Sequence, residues 1–121
     1  MLGLLVLMVN VTGHRGAAAY EPENTLRSFR RALEFGVDAV ELDVHLSRDG
    51  QLMVIHDPTV DRTTDGHGWV RDLTGEELRA LDAGLGEHVP TLQEVIDLVR
   101  GKAVVQIELK VEGRRTEPLR T

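Results

Sequence analysis

The sequence contains no cysteine, few aromatic residues and no excess of positive charge. Without cysteine the chain can form neither a disulfide nor a thiolate metal site, which fits a reducing compartment, and we expect a cytoplasmic protein. Aromatic residues are only 3% of the 121 residues, so the core must be built from Val, Leu, Ile and Ala. The formal net charge of −6 argues against a nucleic-acid partner, because nucleic-acid-binding proteins usually present a basic face.

The apolar N-terminal segment is too short to cross a bilayer. Residues 1–9 are apolar, but no run of basic residues precedes them. We therefore expect no stable membrane insertion, and we predict that Leu4 to Thr12 forms a buried strand. The alternative is that this segment is the remnant of an export signal.

Strand-like and helix-like segments alternate along the rest of the chain. Further strands are predicted over residues 37–44, 51–55 and 103–109, and helices over 24–35, 75–82 and the segment that follows Thr91. Asn24 is the predicted N-cap of the first helix, and capping boxes pair Thr74 with Glu77 and Thr91 with Glu94. This alternation predicts an α/β fold with four parallel strands whose carboxyl ends share one edge. Residues 57–90 are rich in turns, and residues 111–121 form a polar tail.

Acidic residues lie near the carboxyl ends of two of the predicted strands. Glu41 and Asp43 are two residues apart, so both side chains project from the same face with Cα atoms about 6–7 Å apart. Two such charges repel by roughly 2–3 kcal/mol at an effective dielectric constant near 20. With Glu108 as a third carboxylate, the site favours a hard cation, Mg²⁺ or Ca²⁺. Alternatively, Arg15 and Lys110 neutralise these acids in a structural ion network.

Histidine and basic residues are predicted at the same edge. His14 and His56 follow the first and third predicted strands, and two imidazoles can divide the roles of general acid and general base. Arg15 offers a planar fork for phosphate oxygens, and Lys110 adds a point charge. Asp57 is predicted to orient its neighbours, and His45 to face solvent or to support the site from behind.

Taken together, several short motifs resemble the glycerophosphodiester phosphodiesterase family. They occur in the family's order between Thr12 and Lys110: His14-Arg15-Gly16, Pro22-Glu23-Asn24-Thr25, Glu41-Leu42-Asp43-Val44, Asp49-Gly50, Val54-Ile55-His56-Asp57, Arg62-Thr63-Thr64-Asp65-Gly66, Pro90-Thr91-Leu92 and Ile107-Glu108-Leu109-Lys110. The resemblance implies a TIM-barrel enzyme that hydrolyses small-molecule glycerophosphodiesters to an alcohol and sn-glycerol 3-phosphate.

The resemblance also implies a role for each candidate residue. The positions of His14 and His56 match the acid and base, and those of Glu41, Asp43 and Glu108 match ligands of a divalent metal. The positions of Arg15 and Lys110 match groups that face the phosphate. Residues 57–90 match a small insertion over the barrel mouth. One histidine would deprotonate the glycerol 2-hydroxyl, which attacks phosphorus, and water would then open the cyclic product; direct attack by water is the alternative.

The length of the chain departs from the family pattern. A full (β/α)₈ barrel needs about 250 residues, whereas this chain supplies about the first four β/α units of such a domain. We therefore expect residues 1–121 to be a partial domain, most simply a truncated one. Two further interpretations are a catalytically inactive half-barrel that binds metal or phosphate, and a homo-oligomer in which a second copy completes the barrel. A related lipid phosphodiesterase, similar to sphingomyelinase D, is the lesser alternative.

Overall fold

The computed structural model describes residues 11–110. Its elements are β1 (Thr12–His14), α1 (Leu26–Glu34), β2 (Ala39–Leu46), β3 (Leu52–Val54), a 3₁₀ turn (Val70–Asp72), α2 (Gly75–Arg79), α3 (Leu92–Val99) and β4 (Val104–Leu109). Most of the predicted first strand, residues 4–10, and the predicted polar tail lie outside the described residues. In residues 11–110, no helix is long and apolar enough to span a membrane.

Strand β2 lies at the centre of a four-stranded sheet. β1 and β4 both run parallel to it, with Thr12 beside Ala39 and Val104 beside the same residue on the opposite edge. β3 pairs with the second half of β2 in the antiparallel direction, with Val54 beside Val44. The α/β class is therefore confirmed, with three parallel strands.

The predicted parallel direction of the third strand is wrong. Only a short turn around Asp49 and Gly50 separates β2 from β3, and a connection this short can join only antiparallel neighbours. β1 and β3 share one edge of β2 and approach each other from opposite directions. Their ends meet beside Glu41 and Asp43, because Arg15 N donates to the Glu41 carbonyl and Ile55 N to that of Asp43.

The two faces of β2 have opposite chemistry. Val40, Leu42 and Val44 are buried on one face, where they form the main core with Phe29 of α1 and Val95 of α3. Because side chains alternate along a strand, the intervening residues of β2 project from the other face. Those residues are Glu41, Asp43 and His45, so the sheet that forms the core also presents the acidic residues.

A second apolar cluster lies within the segment that follows β2. Its buried members are Met53, Ile55, Val60, Val70, Leu78, Ala83 and Val89. Val54, between Met53 and Ile55, belongs to the main core instead. Strand β3 therefore has one face in each cluster, which fixes the turn-rich segment against the sheet.

Local sequence signals set the helix ends, with one exception. The capping boxes of Thr74 with Glu77 and of Thr91 with Glu94 are both present at the starts of α2 and α3. The N-cap of α1 is Thr25, whose hydroxyl accepts from Ser28 N at 3.1 Å, rather than the predicted Asn24. Asn24 is thereby released for a different role in the site.

Candidate active site

The turn between β1 and α1 holds Arg15 in a left-handed conformation. Arg15 has φ 51°, its N–H donates to the Glu41 carbonyl at 2.7 Å, and its carbonyl accepts from Asn24 N at 2.9 Å. The Ser28 hydroxyl donates to the same carbonyl at 3.0 Å. With both backbone polar groups bonded, the strained residue is held in place, and the backbone of Arg15 is fixed beside β2.

Three carboxylates meet on the polar face of β2 and β4. Asp43 and Glu108 are register partners on the two parallel strands, and Glu41 precedes Asp43 by two residues. Carboxylate oxygens of the three lie within 4.8 Å of one another. Asp43 is buried, Glu41 is partly buried and Glu108 is exposed. The structure thus brings together the three residues predicted to hold a metal.

The donor set of this cluster suits a divalent cation. Oxygen ligands alone, with no nitrogen or sulfur, are what Mg²⁺ and Ca²⁺ prefer. Among the described residues, Glu41 Oε1 and Asn24 Oδ1 are buried acceptors without a hydrogen-bond partner. A buried acceptor without a partner costs roughly 1–3 kcal/mol, and a cation bound at the carboxylates would relieve that cost for Glu41.

Two basic side chains reach the same carboxylates. Lys110 Nζ lies 3.3 Å from Glu108 Oε2 and 3.8 Å from Asp43 Oδ1, and Arg15 Nε lies 3.6 Å from Asp43 Oδ2. Asn24 Nδ2 also donates to Asp43 Oδ2, at 3.3 Å. Arg15 and Lys110 therefore flank the acidic cluster, in contacts that suit both a structural ion network and groups that face a bound anion.

The two candidate histidines have different partners. His14 Nε2 lies 3.4 Å from Glu41 Oε1, and its side chain is 65% exposed. His56 Nδ1 donates to Asp57 Oδ1 at 2.9 Å. Because Nδ1 carries the proton in this bond, the Nε2 atom of neutral His56 carries a lone pair and can accept a proton. Asp57 therefore orients its neighbour, in agreement with the expectation from sequence.

Arg62 joins Asp57 to the turn that carries Arg15. Its Nε and Nη2 donate to the two Asp57 oxygens at 2.8 and 3.0 Å, and its Nη1 and Nη2 donate to the two Glu23 oxygens at 3.2 and 3.0 Å. Glu23 Oε1 also accepts from Arg15 Nη1 at 3.3 Å.

These contacts change the acidity of both carboxyl groups. The hydrogen bond from Arg62 is the largest cause that holds the pKa of Asp57 far below its usual value, and His56 adds to it. For Glu23, burial raises the pKa, but hydrogen bonds and charge from Arg62 and Arg15 outweigh it, so the net pKa is lowered. The same two carboxylates raise the pKa of Arg62. All three groups are thus charged at neutral pH.

Three residues near the site have roles that the sequence did not reveal. Asn24, Glu23 and Arg62 all occur in motifs of the resemblance, but their contacts depend on segments distant in sequence. Of the two possibilities that the sequence left for His45, exposure to solvent is wrong and support of the site from behind agrees with the structure: His45 is buried, and its Nε2 donates to the His56 carbonyl at 2.9 Å. It supports the backbone of His56 from β2. The polar alternation of Glu41, Asp43 and His45 was the one signal that pointed to this placement.

A protein-family model and several known proteins match this chain. The model of the glycerophosphoryl diester phosphodiesterase family matches residues 14–120. A glycerophosphodiester phosphodiesterase from Caldanaerobacter subterraneus is 52% identical over 108 residues, which are 83% of this chain and 44% of that protein. The chain thus spans less than half the length of this relative.

Solved structures of similar proteins share the fold. A glycerophosphodiester phosphodiesterase from Agrobacterium tumefaciens superimposes with a TM-score of 0.83 at 45% identity, over 86% of this chain and 48% of that one. A phosphodiesterase of Oleispira antarctica, solved with the product sn-glycerol 3-phosphate, gives 0.83 at 39% identity, over 88% of this chain and 47% of that one. The described strands are therefore part of a TIM-type barrel, and the chain belongs to the glycerophosphoryl diester phosphodiesterase family.

Proposed function

We propose that this site hydrolyses glycerophosphodiesters to an alcohol and sn-glycerol 3-phosphate, with a divalent metal and two histidines. The observation that carries the proposal is the meeting of Glu41, Asp43 and Glu108 within 4.8 Å, flanked by Arg15 and Lys110. The product bound to the Oleispira relative supports the choice of substrate. Residues 57–90, which the resemblance matches to an insertion over the barrel mouth, are proposed to meet the head group.

The three carboxylates would hold Mg²⁺ or Ca²⁺. When bound, such an ion supplies positive charge that stabilises the charge developing on the phosphate oxygens. Arg15 binds the phosphate as a fork, and Lys110 adds a point charge. Lys110 is oriented by its contacts with Glu108 and Asp43.

The histidines move the protons of the reaction. His56 is held by Asp57 with its Nε2 lone pair available, so it is suited to remove the proton of the glycerol 2-hydroxyl, which attacks phosphorus. His14, beside Glu41, would then protonate the leaving alkoxide. Water would open the cyclic phosphodiester in the second step. The opposite assignment of the two histidines is the alternative to be tested.

A second candidate is a binding site without turnover. Arg15 and Lys110 already lie 3.3–3.8 Å from the carboxylates, as they would in a structural ion network. In that case the site would bind an anion or a metal but would release no product.

Metal binding and hydrolysis should be measured separately. In calorimetric titrations with Mg²⁺ and with Ca²⁺, we expect saturable binding by the 121-residue chain and at least about tenfold weaker binding by Glu108→Gln, since affinity follows the number of charged ligands. Glu76→Gln is the control, because Glu76 is an exposed acid on α2. Equal affinity in both variants would contradict the metal assignment.

The hydrolysis assay follows sn-glycerol 3-phosphate released from glycerophosphocholine, with each metal and with a chelator. It is run on this chain and on this chain joined to the C-terminal remainder of the Caldanaerobacter relative, because the chain spans less than half of that protein. We expect metal-dependent release that falls about 10²- to 10⁴-fold in His14→Ala and in His56→Ala. Metal binding without product in both proteins would favour the second candidate.

A further inference from the structure

A continuous series of charged contacts joins Arg15, the proposed phosphate-binding residue, to His56, the proposed base, at the edge of β2 that β1 and β3 share. Arg15 contacts Glu23, Glu23 contacts Arg62, Arg62 contacts Asp57, and Asp57 contacts His56. The residues come from the turn after β1 and from the segment after β3, and the signs of their charges alternate. Arg62 is the central member and is 39 residues from Glu23 in sequence.

The geometry of Arg62 fixes both neighbouring carboxylates. Each carboxylate accepts two hydrogen bonds from the guanidinium, at 2.8–3.2 Å. Two parallel bonds define the plane of a carboxylate, whereas a single bond leaves it free to rotate. Asp57 Oδ1, which receives His56 Nδ1–H, is one of the fixed oxygens. Within residues 11–110, Arg62 forms its hydrogen bonds and ion pairs with Asp57 and Glu23 and none with the acidic cluster, so it acts through its neighbours.

We propose that Arg62 is a positioning residue that sets the orientation of His56 through Asp57 and the availability of Arg15 through Glu23. The proposal rests on the function proposed above, because the orientation of His56 and Arg15 affects the reaction only if these residues have the roles given there. It adds Arg62 to the functional residues. It also explains why an arginine begins the Arg62-Thr63-Thr64-Asp65-Gly66 motif.

Two changes follow when Arg62 is removed. Asp57 loses two of its three hydrogen bonds, so its carboxylate can rotate. The proton of neutral His56 is then no longer confined to Nδ1, and both tautomers are populated. Glu23, which accepts from both Arg62 and Arg15 in the parent protein, then pairs with Arg15 only. That pairing neutralises Arg15 and weakens its hold on phosphate. A lysine at position 62 keeps the charge but cannot form two bidentate pairs.

The direct test is the tautomer of His56, read from its ring ¹⁵N and ¹³C chemical shifts in the 121-residue chain at a pH where the ring is neutral. We expect the Nδ1–H form in the parent protein and a mixture of both tautomers in Arg62→Gln and Arg62→Lys. Asp57→Asn is the reference for a lost partner. Arg71→Gln is the matched control, because Arg71 is an exposed arginine of the same segment that lies over the Trp69 ring.

The second arm measures Arg15. Titration with inorganic phosphate should show about threefold to tenfold weaker binding in Arg62→Gln, and Glu23→Gln should reverse that loss in the double variant. Parental tautomer and phosphate affinity in both Arg62 variants would overturn the proposal. So would loss of the fold in both variants, because Arg62 would then be structural. Neither readout requires turnover, so a failure of the hydrolysis assay and a failure of this proposal are distinguishable.

Discussion

Gly16 lies where the turn after β1 touches the backbone of α1. Its φ is +84°, and a Cβ atom there would lie 2.4 Å from Ser28 Oγ, 2.8 Å from Ser28 C and 2.9 Å from Phe29 N. Two of these atoms belong to helix backbone and cannot move aside. The glycine is therefore required for the close approach that lets Ser28 bond the Arg15 carbonyl and the Ala17 N–H.

Gly16→Ala should destabilise the fold strongly. The left-handed φ alone costs a residue with a side chain about 1 kcal/mol, and the overlap with α1 adds to it, so we expect a loss of at least about 3 kcal/mol in the free energy of unfolding. Gly50→Ala is the matched control, because Gly50 has the same φ of +84° but no atom within 4 Å of the added Cβ. Urea denaturation measures both variants. An equal loss in the two would show that backbone strain, and not contact with α1, is the whole cost.

For helices and strands, features that depend on a few neighbouring residues could be predicted from the sequence, and features that depend on contacts with distant segments could not. The caps of α2 and α3 need only a Thr and a Glu three residues later, so both capping boxes could be found in the sequence. The apolar pattern of β3 does not give its direction, because a segment of three to five residues has the same pattern either way; the short turn at Asp49 and Gly50, a signal within a few residues, does indicate an antiparallel pair. Asn24 was mistaken for a cap because Asn and Thr at successive positions are both good N-caps.

The capping box of α3 should contribute measurably to stability. Thr91 Oγ1 accepts from Glu94 N at 3.2 Å, and Glu94 Oε1 accepts from Thr91 N at 2.9 Å. We expect Thr91→Ala to lower the free energy of unfolding by about 1 kcal/mol, and Thr91→Ser to change it little, since serine caps equally well. Urea denaturation at neutral pH is the measurement. A similar loss in the serine variant would assign the effect to the methyl group and not to the cap.

On the scale of the whole molecule, two apolar clusters and one ion network hold the site together. The main core lies between the sheet and helices α1 and α3, and the second cluster lies within the segment after β2; β3 belongs to both. Glu23 precedes α1, Asp57 lies in the segment after β3, and Arg62 joins the two. The convergence of the acidic residues could be predicted, because it follows from parallel strands in register. The link through Arg62 could not, because it depends on how the second cluster packs.

This link predicts how stability depends on pH. The pKa values of Glu23 and Asp57 are lowered in the folded protein from ordinary values of 4.5 and 3.8. A group whose pKa is lowered by folding stabilises the fold fully above its ordinary pKa, and this contribution is lost as the pH falls through the folded value. The contribution of Arg62 should therefore be present at neutral pH and should decline in acid.

We expect Arg62→Gln to be about 1 kcal/mol less stable than the parent at neutral pH, as for a partly exposed network of ion pairs. The difference should stay constant down to about pH 5 and should narrow as the pH is lowered further, because protonated Glu23 and Asp57 no longer attract the guanidinium. Urea denaturation over this pH range measures it, with Arg71→Gln expected to follow the parent at every pH. A difference that is the same in acid as at neutral pH would mean that Arg62 stabilises the fold by packing, and not by its charge.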